Sequence, residues 1–177
     1  MAHTIIIGQT ESGKTMLARR LALDYKAKGY KVLVLDSAFN TWEGADYHTD
    51  DINDFISVCA KSRQCALFID EAGEEVGTYQ KAGNVIATKM RHLGHSAHFI
   101  AQRTKSINAT VRQQCSRIAM FNVWRDDALE MAKEFKKKEL ADAHNLPQFE
   151  YYFSSRFGGV THGDIRQDYI NAGLFKE

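Results

Sequence analysis

The chain has 177 residues, a formal net charge of +1 and 44% hydrophobic residues. That length suits one domain with one sizeable core, and a charge so near zero argues against a uniformly basic nucleic-acid-binding domain while leaving room for a local basic surface. No stretch approaches the ~20 apolar residues that cross a bilayer, and the opening Met1-Ala2-His3-Thr4 lacks the basic region and apolar run of a secretory signal, so a soluble chain is expected. Cys59, Cys65 and Cys115 form no CxxC pair, which fits small buried side chains in a reducing cytosol.

Ile5-Ile6-Ile7 reads as a first strand, and it runs straight into Gly8-Gln9-Thr10-Glu11-Ser12-Gly13-Lys14-Thr15, a complete G-x-x-x-x-G-K-T phosphate loop. The glycines let successive N–H groups turn toward phosphates, Lys14 reaches the β and γ oxygens of a nucleoside triphosphate, and the Thr15 hydroxyl is a magnesium ligand. The apolar pattern from Met16 onward predicts a helix closed by Gly29, with the positive end of its dipole beneath the same phosphates. Val32–Asp36 reads as the second strand, 37–49 as a loop, Asp50–Ser62 as a helix and Ala66–Asp70 as the third strand. Beyond a loop over 72–77, a helix is expected from Gly77 to Leu93, then strands at His98–Gln102 and Arg117–Phe121. Asp126–Leu140 predicts a charged amphipathic helix that Pro147 brings to an end. Two runs, Phe149–Phe153 and Val160–Ile165, flank Gly158-Gly159 as a hairpin on the sheet edge. Short apolar runs separated by helix-length segments predict an α/β fold, a mostly parallel central sheet flanked by helices, in a single P-loop domain over 1–177.

The third strand delivers two adjacent carboxylates, Asp70 and Glu71, to the carboxyl edge of that sheet. This spacing reads as a Walker B element in which Asp70 holds the magnesium shell and Glu71 polarises the water attacking the γ-phosphate. The plain alternative is a solvated acidic turn, and the phosphate loop tips the balance toward chemistry. Gln102, at the end of the fourth strand, is placed to sense the γ-phosphate or the attacking water, although a strand-end glutamine with no such role fits its position equally well.

The segment Arg91-His92-Leu93-Gly94-His95-Ser96-Ala97-His98-Phe99-Ile100-Ala101-Gln102-Arg103, continuing to Ser116-Arg117-Ile118-Ala119-Met120-Phe121, resembles the FtsK/HerA superfamily. There, a helix carrying arginine leads into a strand ending in glutamine-arginine. With the phosphate loop and Asp70-Glu71 the resemblance covers roughly residues 4 to 124. The compact chain and the tail Leu146-Pro147-Gln148-Phe149-Glu150-Tyr151-Tyr152 look most like the viral branch, the genome-packaging ATPases of tailless, membrane-containing double-stranded DNA viruses.

The resemblance implies a RecA-like (ASCE) core in which the Gln102 strand lies between the phosphate-loop strand and Walker B. It implies ATP and Mg2+ as cofactors and a homo-oligomeric ring around double-stranded DNA, with a hexamer as the expected size. It also implies viral capsid or vertex proteins as partners, and work in the host cytoplasm and at the packaging vertex of the virion. Arg91 matches the arginine such rings insert into the neighbouring site, with Arg103 and Arg117 as fallbacks; without the resemblance Arg91 is a helix-end cation. No accessory DNA-binding domain and no Lys/Arg-rich pore loop is recognisable, so DNA contact comes from the resemblance alone. Lys136-Lys137-Lys138 reads as a solvated helix face beside Glu130, Glu134 and Glu139. His92, His95 and His98 span a helix end, a glycine turn and a strand start, so their rings should diverge and no metal beyond nucleotide-bound magnesium is expected. Trp42 and Tyr47 could stack on a base but more simply cover a core edge. Two rivals share the phosphate loop: a Zot-like phage assembly ATPase, which ordinarily needs a membrane span, and a small nucleoside or nucleotide kinase, which has little use for Asp70-Glu71 followed by Gln102.

Overall fold

The computed structural model describes residues 2–38, 41–70 and 78–174, the side chains of 78–82 excepted. Four of the apolar runs become strands that are buried at every position: β1 (His3–Ile7), β2 (Val32–Leu35), β4 (Ala66–Ile69) and β5 (Ser96–Ala101). Burial on both faces is what an unbroken apolar run dictates, since alternate side chains must each find a covering layer. With β3 (Tyr47–Thr49), β6 (Cys115–Met120), β7 (Glu150–Ser155) and β8 (Val160–Asp164) they form one eight-stranded sheet in the order β3-β2-β4-β5-β1-β6-β7-β8. The first six strands pair in parallel, and β7 and β8 return antiparallel as a hairpin bonded to β6. β5 therefore lies between β1 and β4, the arrangement the RecA-like reading requires.

Alternation along the strands builds two cores. Ile6, Val34, Phe68 and Ile100 face α1 (Lys14–Ala27), whose Leu17, Ala18 and Ala22 meet them together with Trp42 and Ile165. Ile5, Ile7, Leu67 and Phe99 point the other way. They meet α2 (Ile52–Lys61) through Phe55 and Cys59, α3 (Thr78–Thr88) through Ile86, α4 (Ala109–Gln114) through Val111, and α5 (Arg125–Phe135) through Met131 and Phe135. Each fully buried large side chain contributes on the order of 2 kcal/mol. All three cysteines are free and buried, and burial pushes the Cys59 thiol up to about 12.

Three expectations need correction. The segment 37–49 is not all loop: Tyr47–Thr49 forms β3, an edge strand pinned by Leu33↔Tyr47 pairing. The charged helix does not run to Leu140. It stops at Phe135 because Lys136 turns left-handed (φ 55°), and a 3-10 turn follows over Lys138–Asn145. The lysine triplet is thus no helix face; Lys137 Nζ donates to the Gly158 carbonyl at 2.5 Å and ties that turn to the hairpin. Finally, residues after β8 coil into α6 (Ile165–Asn171), whose Ile165 enters the α1 core. Trp42 is 6% exposed and its Nε1 donates to Asp36 at 2.9 Å, so it is core and offers no face to a base.

Candidate nucleotide site

The six parallel strands end along one edge, where open α/β sheets place their ligands. β1 ends at Ile7, and Gly8 turns directly beneath its neighbours. A Cβ there would stand 2.5 Å from Ser12 Oγ and 2.7 Å from Phe121 Cβ, so the turn excludes any side chain. Gly13, at φ 113°, caps the start of α1 in a conformation few other residues adopt. The curled segment is held from the strand side by Gln9, whose N–H donates to the Asn122 carbonyl at 2.8 Å and whose Nε2 donates to Asn122 Oδ1 at 3.0 Å. Lys14 is 6% exposed and arches back over the loop, Nζ donating to the Gln9 carbonyl at 2.8 Å.

Asp70 follows β4 directly and is 3% exposed; its N–H donates to Leu35. The Thr15 hydroxyl donates to Asp70 Oδ2 at 3.4 Å, so two hard oxygen donors face each other at the foot of the loop. Ser12 Oγ is buried without a hydrogen-bond partner among the described residues. A hydroxyl and a carboxylate in contact, beside a lysine ammonium, are the donor set that magnesium and a triphosphate together require, so the residues fit the implied group. Glu71, the expected base, lies outside the described residues.

Gln102 lies one strand away, and its Oε1 accepts from Thr10 Oγ1 at 3.3 Å, joining the strand end to the loop. The three arginines separate. Arg91 is exposed on the 3-10 turn Met90–Leu93 that precedes β5, at the opposite edge of the sheet, donating to Gln114 Oε1 at 3.3 Å. The length of β5 puts about 15–20 Å between it and its own phosphate loop. Arg103 is on the loop's edge, with Nε on the buried Asp127 carboxylate at 2.6 Å and its guanidinium 4.4 Å from the Trp124 ring centroid. Arg117 is exposed within β6. The histidines do diverge: His95 bonds Cys65 N–H and the Cys59 carbonyl, His98 bonds the Leu67 carbonyl and stacks on Phe68, and His92 is exposed. Among the described residues no cluster of three His, Cys, Asp or Glu could hold a metal.

Sequence reasoning missed the tail's part in the site. A cleft of about 380 Å³ is lined by Glu11, Gly13, Lys14, Thr15, Met16, Gln148 and Phe149. Gln148 Nε2 donates to the Glu11 carbonyl at 3.0 Å and the Phe149 N–H to the Ser12 carbonyl at 3.1 Å. Pro147 marked only the exit from the preceding helix, and no local pattern tells where the chain beyond it lands. No helix among the described residues is long and apolar enough to cross a membrane.

The family profile described as novel STAND NTPase 3 (nSTAND3) matches residues 2–146. No curated protein sequence matches the chain. Among solved structures, the chain is similar to the genome packaging NTPase B204 from Sulfolobus turreted icosahedral virus 2 in complex with AMPPCP. The TM-score is 0.74 at 16% identity, covering 92% of this chain and 97% of that one. It is also similar to the cytoplasmic domain of the Thermomonospora curvata type VII secretion ATPase EccC, with TM-score 0.68, 14% identity, and 92% of this chain against 25% of that one. The pCW3 conjugation coupling protein TcpA with ATPγS gives TM-score 0.64 and 14% identity over 92% of this chain and 59% of that one. At 14–16% identity these likenesses show the fold alone, which in this chain is a mostly parallel sheet flanked by helices with a C-terminal antiparallel hairpin.

Proposed function

The chain belongs to the novel STAND NTPase 3 family, and from that footing we propose that it is an ATP-hydrolysing motor that moves double-stranded DNA into a viral procapsid. The observation that carries this reading is the likeness in fold to a packaging NTPase, TM-score 0.74 over 92% of this chain, together with a phosphate loop faced by Asp70. The secretion and conjugation ATPases share the fold at the lower TM-scores of 0.68 and 0.64. The chain is one P-loop ATPase domain over 1–177.

Residues Gly8–Thr15 cradle the triphosphate and Lys14 neutralises its β and γ oxygens. Thr15 and Asp70, already in contact, would hold Mg2+, which would screen charge on the phosphates. Glu71 takes the proton of the attacking water, and Gln102, already bonded to Thr10, reports the γ-phosphate to the strand end. Arg91 lies at the edge of the sheet opposite its own loop, so its use is in trans: in a ring, expected to be hexameric, it stabilises charge on the phosphoryl group of the neighbouring site and makes turnover depend on assembly. The ring encircles duplex DNA in the host cytoplasm and docks on capsid proteins at the virion's packaging vertex.

The test is ATPase rate against protein concentration, with and without duplex DNA, using Lys14→Ala as the blank. A specific rate that climbs with concentration and rises further with DNA supports a ring motor. A rate indifferent to both, or one raised by a phosphate-accepting nucleoside, would overturn it in favour of a self-contained enzyme.

A further inference from the structure

We infer that Phe149 is the platform on which the purine base of the nucleotide stacks, making the tail a specificity element of the site. This rests on the reading that the phosphate loop binds a nucleoside triphosphate. The triphosphate end is fixed by Thr15, Asp70 and Gln102, so the nucleoside must leave along the cleft past Met16. That path ends at Gln148 and Phe149. The cleft volume of about 380 Å³ falls within the range of small-molecule sites.

Two features mark Phe149 as more than a lid. Its backbone sits at φ 73°, a left-handed conformation that is an outlier for a bulky side chain and that glycine or asparagine would adopt with less strain. The conformation is imposed from both sides, by its N–H on the Ser12 carbonyl and by its own carbonyl accepting from Ile165 N–H at 3.0 Å. At a position whose backbone suits glycine, the chain carries a flat aromatic ring. Second, the ring is electrostatically prepared: the Arg166 guanidinium lies over it, 5.3 Å from the centroid, and is itself clamped by both oxygens of Asp164 at 3.1 and 2.6 Å. A flat, polarisable purine is the occupant such a half-exposed ring suits.

The experiment compares two probes, ATP and inorganic tripolyphosphate, by calorimetry. Phe149→Ala should weaken ATP roughly tenfold or more while leaving tripolyphosphate within twofold of wild type. Phe149→Trp should keep ATP affinity, and its emission, read as the difference from wild type, should be quenched by ATP and GTP but not by tripolyphosphate. If Phe149→Ala does not fold, Phe149→Leu retains apolar contact with Gly13 and reads the same ratio. Equal losses for both probes, or an unchanged ATP affinity, would overturn the assignment of Phe149 alone. A wild-type protein that binds neither probe would overturn the phosphate-loop reading itself.

Discussion

Lowering the pH from 7 to 5 should strip this fold of a large part of its stability, and buried imidazoles set the amount: His3 and His98 chiefly, with His95 lowered by burial in the same direction. His3 and His98 are 1% and 2% exposed, and burial, the dominant cause, holds both well below the usual value, at about 4. Their bonds reinforce the neutral form: His3 Nδ1 accepts the Ala97 N–H at 3.0 Å, a role protonation abolishes. Between about pH 4 and 6.5 the unfolded chain therefore binds more protons than the folded one. The stabilisation is complete above 6.5 and drains away as pH falls toward 4. For a shift of this size each histidine loses about 2 kcal/mol by pH 5, so the pair removes about 4 kcal/mol. That is a large share of the roughly 5–15 kcal/mol a domain has. Urea unfolding at pH 7, 6 and 5 should show it, and His98→Gln should remove about 2 kcal/mol of the pH dependence. A wild-type loss below about 1 kcal/mol, or a His98→Gln variant with the full slope, would refute the argument.

Glu71→Gln should bind ATP normally but turn over roughly a hundredfold or more slowly, as should Arg91→Ala. Mixed together they should regain part of the activity, increasingly so at high protein concentration; a mixture giving only the sum of the two residual rates, with mixed oligomers confirmed by sizing, would remove Arg91 from the mechanism. Gly8→Ala should destabilise the protein by about 1–3 kcal/mol in thermal or chemical melts, because its new methyl meets Ser12 Oγ and Phe121 Cβ well inside contact distance. Lys136→Gly should instead stabilise by up to ~1 kcal/mol, since it removes left-handed strain at the end of α5; an unchanged midpoint would show that the Lys137 tether, not the turn, sets that helix end.

The central strands were legible because burial on both faces demands unbroken apolar runs, and Ile5–Ile7 or Ala66–Ile69 offer no other reading. The phosphate loop was legible because its glycines answer to steric demands that can be stated without coordinates. β3 was not: three half-exposed or exposed residues, Tyr47, His48 and Thr49, carry no period, and only the waiting edge of β2 makes them a strand. The end of α5 was hidden for a similar reason, since a lysine gives no sign that it will adopt a left-handed turn. The tail's contacts with Glu11 and Ser12 join residues some 137 apart in sequence, a distance across which no local pattern operates. The two-edge placement of Arg91 and Gln102 came from the strand between them, which the sequence did supply.

The bracing of the phosphate loop by Gln148 and Phe149 has a temporal meaning as well. The loop is synthesised 137 residues before the outer wall that braces it. A partly made chain thus holds the full G-x-x-x-x-G-K-T motif without the bonds from 148 and 149 that close it. Contacts of such long range form late, after the loop-closure entropy of most of the chain has been overcome. Completion of the nucleotide pocket is in this way a checkpoint on the whole fold, and a nascent or C-terminally clipped chain lacks the wall that a finished one presents.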